Sequence, residues 1–67
     1  MINLWDYVNA KKVKITDVDG NEFSGNVVAI FDKDETYDEE DSIDIQLDKN
    51  TIIGFFPSEI KNIEVIE

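Results

Sequence analysis

The sequence predicts an all-β domain in which a short N-terminal helix precedes five strands that curl into a small barrel. At 67 residues the chain is one domain, and its 42% hydrophobic content is too high for a disordered acidic chain. Five short apolar segments alternate with turn residues. Two of these segments carry apolar residues on both faces, which suits a bent strand that serves both halves of a barrel.

The helix is predicted over residues 4–10, with Asn3 as its N-cap. Leu4, Tyr7 and Val8 share one stripe at helical spacing. Because two helical turns do not persist alone in water, we expect this stripe to dock on the sheet.

The first and third strands alternate apolar and polar residues, whereas the second and fourth do not. The predicted strands cover residues 12–18, 22–31, 42–48, 51–56 and 61–66. Asp19-Gly20 predicts a two-residue type I′ hairpin turn, and Lys49-Asn50 predicts a second tight turn. Gly25 predicts a bulge or bend in the second strand, and Pro57 ends the fourth strand in a 3₁₀ turn.

The lengths of the connections discriminate among five-stranded barrels. An OB-fold has a helix between its third and fourth strands, where this chain has only Lys49-Asn50. A typical SH3 domain has a long loop after its first strand, where this chain has Asp19-Gly20. The remaining order, with an N-terminal helix and a tight first hairpin, is the Sm-like one.

The segment DGNEFSGNV supports that choice, because Gly20, Phe23, Gly25 and Val27 match the first Sm signature. The tail PSEIKNIEVI is similar to the closing segment of many small bacterial Sm-like proteins. The chain therefore resembles the small bacterial Sm-like (LSM-domain) proteins of unknown function. The resemblance implies a five-stranded Sm-like, SH3-like barrel whose subunits assemble by pairing the fourth strand of one with the fifth strand of the next.

The RNA site of that family does not carry over to this chain. RNA-binding members have an Asp soon after the bent strand and an Asn a few residues later. Asp32 lies one residue late for that Asp, and the acidic segment that follows it, residues 32–41, contains no Asn. The second signature centres on Arg-Gly, but this chain has no Arg, and only Gly54 could stand for the Gly.

Charge and composition exclude several functional classes. With a formal net charge of −10, the chain should be repelled by nucleic acid and by anionic membranes. Without Cys or His, it has no disulfides and none of the usual zinc ligands, and Ser24, Ser42 and Ser58 have no obvious catalytic base. We predict a non-enzymatic cytoplasmic protein that has no signal peptide or membrane span and requires no cofactor.

The most acidic segment, residues 32–41, reads DKDETYDEED and predicts a solvated, mobile loop. Asp32, Asp34 and Asp38 fall at positions one, three and seven of an EF-hand loop. However, Tyr37 replaces the required Gly and Ile43 the required Glu. A divalent-metal-responsive loop therefore stays open only as an alternative function.

The non-alternating strands predict a binding or scaffold module that self-associates, because one small sheet does not bury both of their faces. The candidate interface residues are Ile52, Ile53, Phe55, Phe56 and Val65. An unknown protein partner is the second expected occupant of this surface.

The only basic cluster is Lys11, Lys12 and Lys14. These lysines would contact phosphate if the protein were an RNA- or DNA-associated Sm-like protein. Alternatively, they end the helix and line the outer face of the first strand. The second interpretation is favoured, since no aromatic residues are interleaved for base stacking.

Overall fold

The computed structural model describes residues 2–67, and 52% of the chain lies in one antiparallel five-stranded sheet. The strands are β1 Lys12–Asp17, β2 Glu22–Phe31, β3 Ser42–Asp48, β4 Thr51–Phe55 and β5 Ile60–Val65. Their order in the sheet is β4-β3-β2-β1-β5, so β4 and β5 form the two edges. The predicted all-β class with little helix is confirmed, and the sheet is open between β4 and β5.

The N-terminal segment forms a 3₁₀ helix, Leu4–Tyr7, instead of the predicted helix over residues 4–10. The Asn3 side chain accepts a hydrogen bond from the Trp5 N–H at 3.1 Å, as its capping position requires. Leu4 is buried and Tyr7 packs against the core, but Val8 is exposed. A 3₁₀ helix has three residues per turn, so positions 4 and 7 share a face and position 8 does not.

The core lies on the inner face of the sheet, beneath the N-terminal helix. Its buried members are Leu4, Val13, Ile15, Ile43, Ile45, Phe55, Ile60 and Ile63. Phe23 of β2 and Phe55 of β4 bring their ring centroids to 5.3 Å, although β3 lies between these two strands. That contact indicates a curled sheet, because two strands with a third between them lie about 9.6 Å apart in a flat one.

The missing alternation in β2 comes from a bulge at Val28. Val27 pairs with Ile45 and Ala29 pairs with Asp44, which leaves Val28 as an extra residue. Ile30 is thereby returned to the inner face, opposite buried Ile43. The predicted irregularity in this strand exists, but it lies three residues beyond Gly25.

Gly25 has a different role, which is to let β3 approach closely. It is buried, and a Cβ atom at this position would lie 2.4 Å from the Gln46 carbonyl oxygen. No side chain fits in that space, so the curl of β2 against β3 depends on the glycine.

The first hairpin has a three-residue loop, not the predicted type I′ turn. The Gly20 N–H donates to the Asp17 carbonyl oxygen at 3.0 Å, and Gly20 has a φ of 89°. Asp19 has a negative φ, whereas type I′ needs positive φ at both central residues. The Asp17 side chain stabilises the longer loop by accepting from the Asp19 and Asn21 backbone N–H groups.

Two short helical turns complete the chain. A single α-helical turn, α1 Lys33–Thr36, follows β2, and a 3₁₀ turn, Pro57–Glu59, connects β4 to β5 as predicted. Among residues 2–67 there is no helix with the length and apolarity needed to cross a membrane.

Candidate functional site

The edge of β5 presents unpaired backbone groups at Ile63 and Val65. Along an antiparallel ladder, hydrogen-bonded and non-hydrogen-bonded pairs alternate. The Ile66 N–H donates to the Lys12 carbonyl oxygen, so Lys12 and Ile66 form a hydrogen-bonded pair between β1 and β5. Two residues further along the ladder, Lys14 and Glu64 form the next hydrogen-bonded pair. Ile63 and Val65 lie out of phase with these contacts, so their N–H and C=O groups face the open side of the sheet.

The edge of β4 presents its backbone at Ile52 and Gly54 by the same reasoning. The Val27 N–H donates to the Lys11 carbonyl oxygen, so the backbone groups of the preceding residue, Asn26, point the other way, toward Gln46 of β3. The backbone groups of Gln46 therefore face β2, and the pair Ile45–Ile53 is the hydrogen-bonded one between β3 and β4. Ile52 and Gly54 alternate with the hydrogen-bonded residues of β4, so their N–H and C=O groups face the open edge. Each edge of the described sheet therefore offers two residues to another strand.

Ile52 and Val65 are the exposed members of the predicted interface set, with 56% and 55% of their surface accessible. Val65 sits opposite Val13 at the rim of the inner face, and Ile52 sits opposite Gln46 on the outer face. Each is a β-branched aliphatic side chain on an edge strand. Such an arrangement favours the addition of another strand.

Phe55, a predicted interface residue, is buried within the chain itself. It is 5% exposed and packs against Phe23 in the core, because it faces inward opposite Ile43. Ile53 also faces inward and is half-buried against the core. Phe56, just beyond β4, is half-buried beside Asp38, Glu39 and Glu40.

The acidic segment lies at the surface, with residues 33–39 exposed, and specific hydrogen bonds also hold it. The Asp32 side chain caps α1 by accepting from the Asp34 N–H at 2.8 Å. Tyr37 ends that turn in the left-handed conformation, with a φ of 59°, and its side chain is 96% exposed. Local capping thus gives this segment one helical turn despite its high charge.

Asp41 joins the acidic segment to the N-terminal helix. One carboxylate oxygen accepts from the Lys33 N–H and the other from the Trp5 indole N–H, both at 2.9 Å. These two hydrogen bonds, together with the charge of Lys33, hold the pKa of Asp41 below its ordinary value of 3.8, although partial desolvation acts the other way.

Glu40 joins the same segment to the 3₁₀ turn Pro57–Glu59. One of its oxygens accepts from the Ser58 N–H at 3.0 Å and the other from the Ser58 hydroxyl at 2.6 Å. Two adjacent carboxylates therefore tie three segments that are far apart in sequence. We call the contacts of Glu40 with Ser58 and of Asp41 with Trp5 the acidic clasp.

A shallow cleft of about 310 Å³ lies at the acidic clasp. Its lining is Ile2, Asn3, Leu4, Lys33, Glu39, Glu40, Asp41 and Pro57. The apolar residues come from the N-terminal segment and Pro57, and the charged ones come from the acidic segment. Both oxygens of Glu40 and of Asp41 are already used by protein donors.

The EF-hand-like aspartates do not assemble into a metal centre. Within residues 2–67, no group of three acidic side chains is arranged so that it could hold a metal ion. Asp32 faces the first turn of α1 as its cap, and Asp34 and Asp38 are exposed. The chain lacks the Gly that would fold such a loop around a cation, because Tyr37 occupies its position.

The three lysines lie along the start of β1 but do not form a free basic surface. The Lys14 ammonium group lies 3.6 Å from a carboxylate oxygen of Glu22 and 3.6 Å from one of Glu64. Lys12 is half-buried and Lys11 is exposed. The charge of Lys14 is thus shared between two neighbouring strands, which reduces the attraction of a phosphate.

Compared with protein-family models, curated proteins and solved structures, the chain matches none. The functional argument therefore depends on the chain's own residues.

Sequence reasoning missed Trp5 and Ser58 as the donors to the acidic clasp. Trp5 lies 36 residues from Asp41, so no local pattern connects them. The sequence predicts Ser58 within a 3₁₀ turn and as a nucleophile without a base, but not as a donor to an acidic side chain. Its place after Pro57 was an available signal, because early helical positions have N–H groups that lack intrahelical acceptors.

Proposed function

We propose that this protein is a non-catalytic binding or scaffold module, an Sm-like barrel that self-associates by pairing β4 of one subunit with β5 of the next. The observation that carries the proposal is the pair of open edges with exposed Ile52 and Val65. The strand order and the contact between Phe23 and Phe55 support a curled, barrel-like sheet.

The residues whose backbone N–H and C=O groups face the open edges determine the register of that pairing. An antiparallel arrangement that uses all four outward-facing residues pairs Ile52 with Val65 of the partner subunit and Gly54 with Ile63 of the partner subunit. Directly opposed residues share a face, so this register places the two exposed aliphatic side chains in contact. Gly54 then leaves room beside the larger Ile63.

The two edges are different surfaces, so the association is head-to-tail. Such interfaces close into a ring when the rotation between subunits permits, and otherwise extend into a filament. A charge of −10 on each subunit opposes assembly at low ionic strength. Assembly should therefore strengthen as salt is added.

Size-exclusion chromatography with light scattering at a concentration of about 10 μM tests the proposal. We expect a mass above that of the monomer for the natural sequence. Ile52→Lys and Val65→Lys should each reduce the mass to 7.7 kDa, because an edge lysine disfavours strand addition. Circular dichroism should show an intact sheet in both variants, since both positions are exposed.

Val18→Lys is the matched control, because Val18 is 61% exposed but lies in the first hairpin loop instead of an edge strand. This variant should keep the mass of the natural sequence. A monomeric natural sequence, or equal disruption by Val18→Lys, would contradict the proposal.

A nucleic-acid role is less well supported. It rests on the resemblance and on Lys11, Lys12 and Lys14, and Lys14 is already paired with two carboxylates. Titration of a labelled oligonucleotide at low salt, where electrostatic attraction is greatest, is the direct test. We expect no saturable binding.

A further inference from the structure

We propose that the acidic clasp is an ionic-strength-dependent latch that holds the N-terminal helix on the sheet. The closed state is the one described above, with Asp41 bonded to Trp5 and Glu40 bonded to Ser58. In the open state these contacts separate together, and the N-terminal helix loses its attachment to the acidic segment. The proposal does not depend on self-association.

The closing force comes from three hydrogen bonds to two carboxylates, one to Asp41 and two to Glu40. Hydrogen bonds to a charged acceptor are stronger than those between neutral groups. Glu40 and Asp41 are consecutive, so the attachments to Trp5 and Ser58 share one short piece of backbone. This adjacency is the reason to expect both contacts to open as a unit.

The opposing force is the repulsion within the acidic segment. Residues 32–41 contain seven acidic side chains and one cation, Lys33. Closing the clasp fixes two of those carboxylates beside Glu39, which lines the same cleft. On the far sides of the clasp, Asp6 follows Trp5 and Glu59 follows Ser58, so both attached segments bring further negative charge.

Ionic strength sets the balance between these forces. The Debye length is about 30 Å at 10 mM salt and about 8 Å at 150 mM. The longest dimension of the chain is 27 Å, so at the lower salt concentration all the charges of the acidic segment act on one another. Direct hydrogen bonds are screened much less than these longer-range repulsions, and added salt therefore closes the latch.

Opening would uncover Leu4 and the apolar side of the cleft. Leu4 is 2% exposed in the closed state and belongs to the core. Tyr7 and Ile2 also pack against the core from this segment. The latch thus controls access to the side of the core that the N-terminal segment covers.

The indole N–H of Trp5 is a direct reporter, because the chain has a single Trp. Its NMR chemical shift in Asp41→Ala, which has no acceptor at this position, defines the open state. In the natural sequence we expect the signal to move toward the Asp41→Ala value when salt is reduced from about 150 mM to about 10 mM. The Ser58 N–H signal should move in parallel toward its position in Glu40→Ala.

Charge-neutralised variants test whether repulsion within the acidic segment causes the salt-dependent movement of the Trp5 signal. Asp34→Asn with Glu35→Gln removes two loop charges whose side chains make no hydrogen bond to the protein among the described residues, and its Trp5 signal should become insensitive to salt. Asp19→Asn with Glu67→Gln removes the same charge outside the acidic segment and should respond as the natural sequence does. Circular dichroism at each salt concentration confirms that the sheet is folded.

Three results would overturn the proposal. The first is a Trp5 signal that does not move with salt in the natural sequence. The second is equal movement in the loop variant and in the natural sequence. The third is movement of the Trp5 signal without the Ser58 signal, which would show that the two contacts do not open as a unit.

Discussion

Strands β2 and β4 both lack an alternation of apolar and polar residues, but they place their apolar side chains differently. Both carry consecutive apolar residues and a glycine. In β2 the bulge at Val28 resets the phase, so that both Val27 and Ile30 face inward. Strand β4 pairs with β3 in regular alternation from Ile52 to Phe55, so Ile52 faces outward and stays exposed. Each strand nevertheless leaves one aliphatic side chain exposed, Val28 at the bulge of β2 and Ile52 on β4. A run without alternation therefore does not identify an interface by itself, and what distinguishes Ile52 is its place on an edge strand.

Replacing the phenylalanines at the end of β4 should give the largest contrast. Phe55→Ala removes a ring that is 5% exposed, and we expect a loss of about 3–5 kcal/mol in the free energy of unfolding. Phe56→Ala truncates a half-buried ring and should cost about 1 kcal/mol. Urea unfolding followed by circular dichroism measures both. Similar losses would mean that Phe55 is not the inward anchor of β4.

The glycines of the two strands should also differ. Gly25→Ala would place a Cβ atom 2.4 Å from a backbone oxygen of β3, and we expect a loss of about 3 kcal/mol. Gly54→Ala would meet the Asp44 carboxylate at 2.7 Å, which a side-chain rotation relieves, so the loss should be less than about 1 kcal/mol. Thermal melts of the two variants compare them, and a larger effect at Gly54 would contradict the close approach of β2 and β3.

Added salt should stabilise the protein, mainly by screening the repulsion within the acidic segment that follows β2. The acidic segment follows β2, and the net charge is −10, so raising salt from about 10 mM to about 150 mM reduces self-repulsion. We expect the melting temperature to rise, by about 4–8 °C for each kcal/mol gained. Melts at one fixed protein concentration test this expectation. A flat or falling trend would contradict it.

The smallest expected effect is the response to acid of the two aspartates that flank β2 and its acidic segment. Partial desolvation raises the pKa of Asp17, but hydrogen bonds from Asn21 and Asp19 outweigh it, so the pKa lies below 3.8. The pKa of Asp41 is lowered by its donors Lys33 and Trp5. A pKa that is lower in the folded state stabilises the protein above the unfolded value, near about 3.9, and that stability is lost as the pH falls through the folded pKa.

NMR titration of the two carboxyl groups measures these values directly. Both midpoints should lie below 3.8, and the Trp5 indole signal should shift together with Asp41. A midpoint at or above 3.8 for either group would show that its hydrogen bonds do not hold in solution.

The sequence predicted the strands well because alternation and turn residues are local signals. The bounds of β2 and β3 coincide with the predicted ones, and the other three strands differ by one residue at one end or at both. The position of the bulge was not predictable in the same way, since it depends on how β2 aligns with Ile45 and Asp44 of β3.

The predicted type of the first turn was wrong, and the hydrogen bonds of the acidic segment were not predicted, for a related reason. Both interpretations treated a carboxylate as a local turn former or a local charge. Asp17 instead accepts hydrogen bonds from Asp19 and Asn21, which lengthens the loop. Asp41 finds its donor at Trp5, a residue that only the tertiary fold brings near.

Tyr37 has a consequence for experiments on this protein. Its phenol ring is 96% exposed, and its backbone φ of 59° is sterically unfavourable for any residue other than Gly, Asn or Asp. The ring therefore adds little to the stability of the domain, while its position directs it into solvent. A fluorophore or crosslinker attached at position 37 would report on whatever approaches the acidic segment without disturbing the sheet.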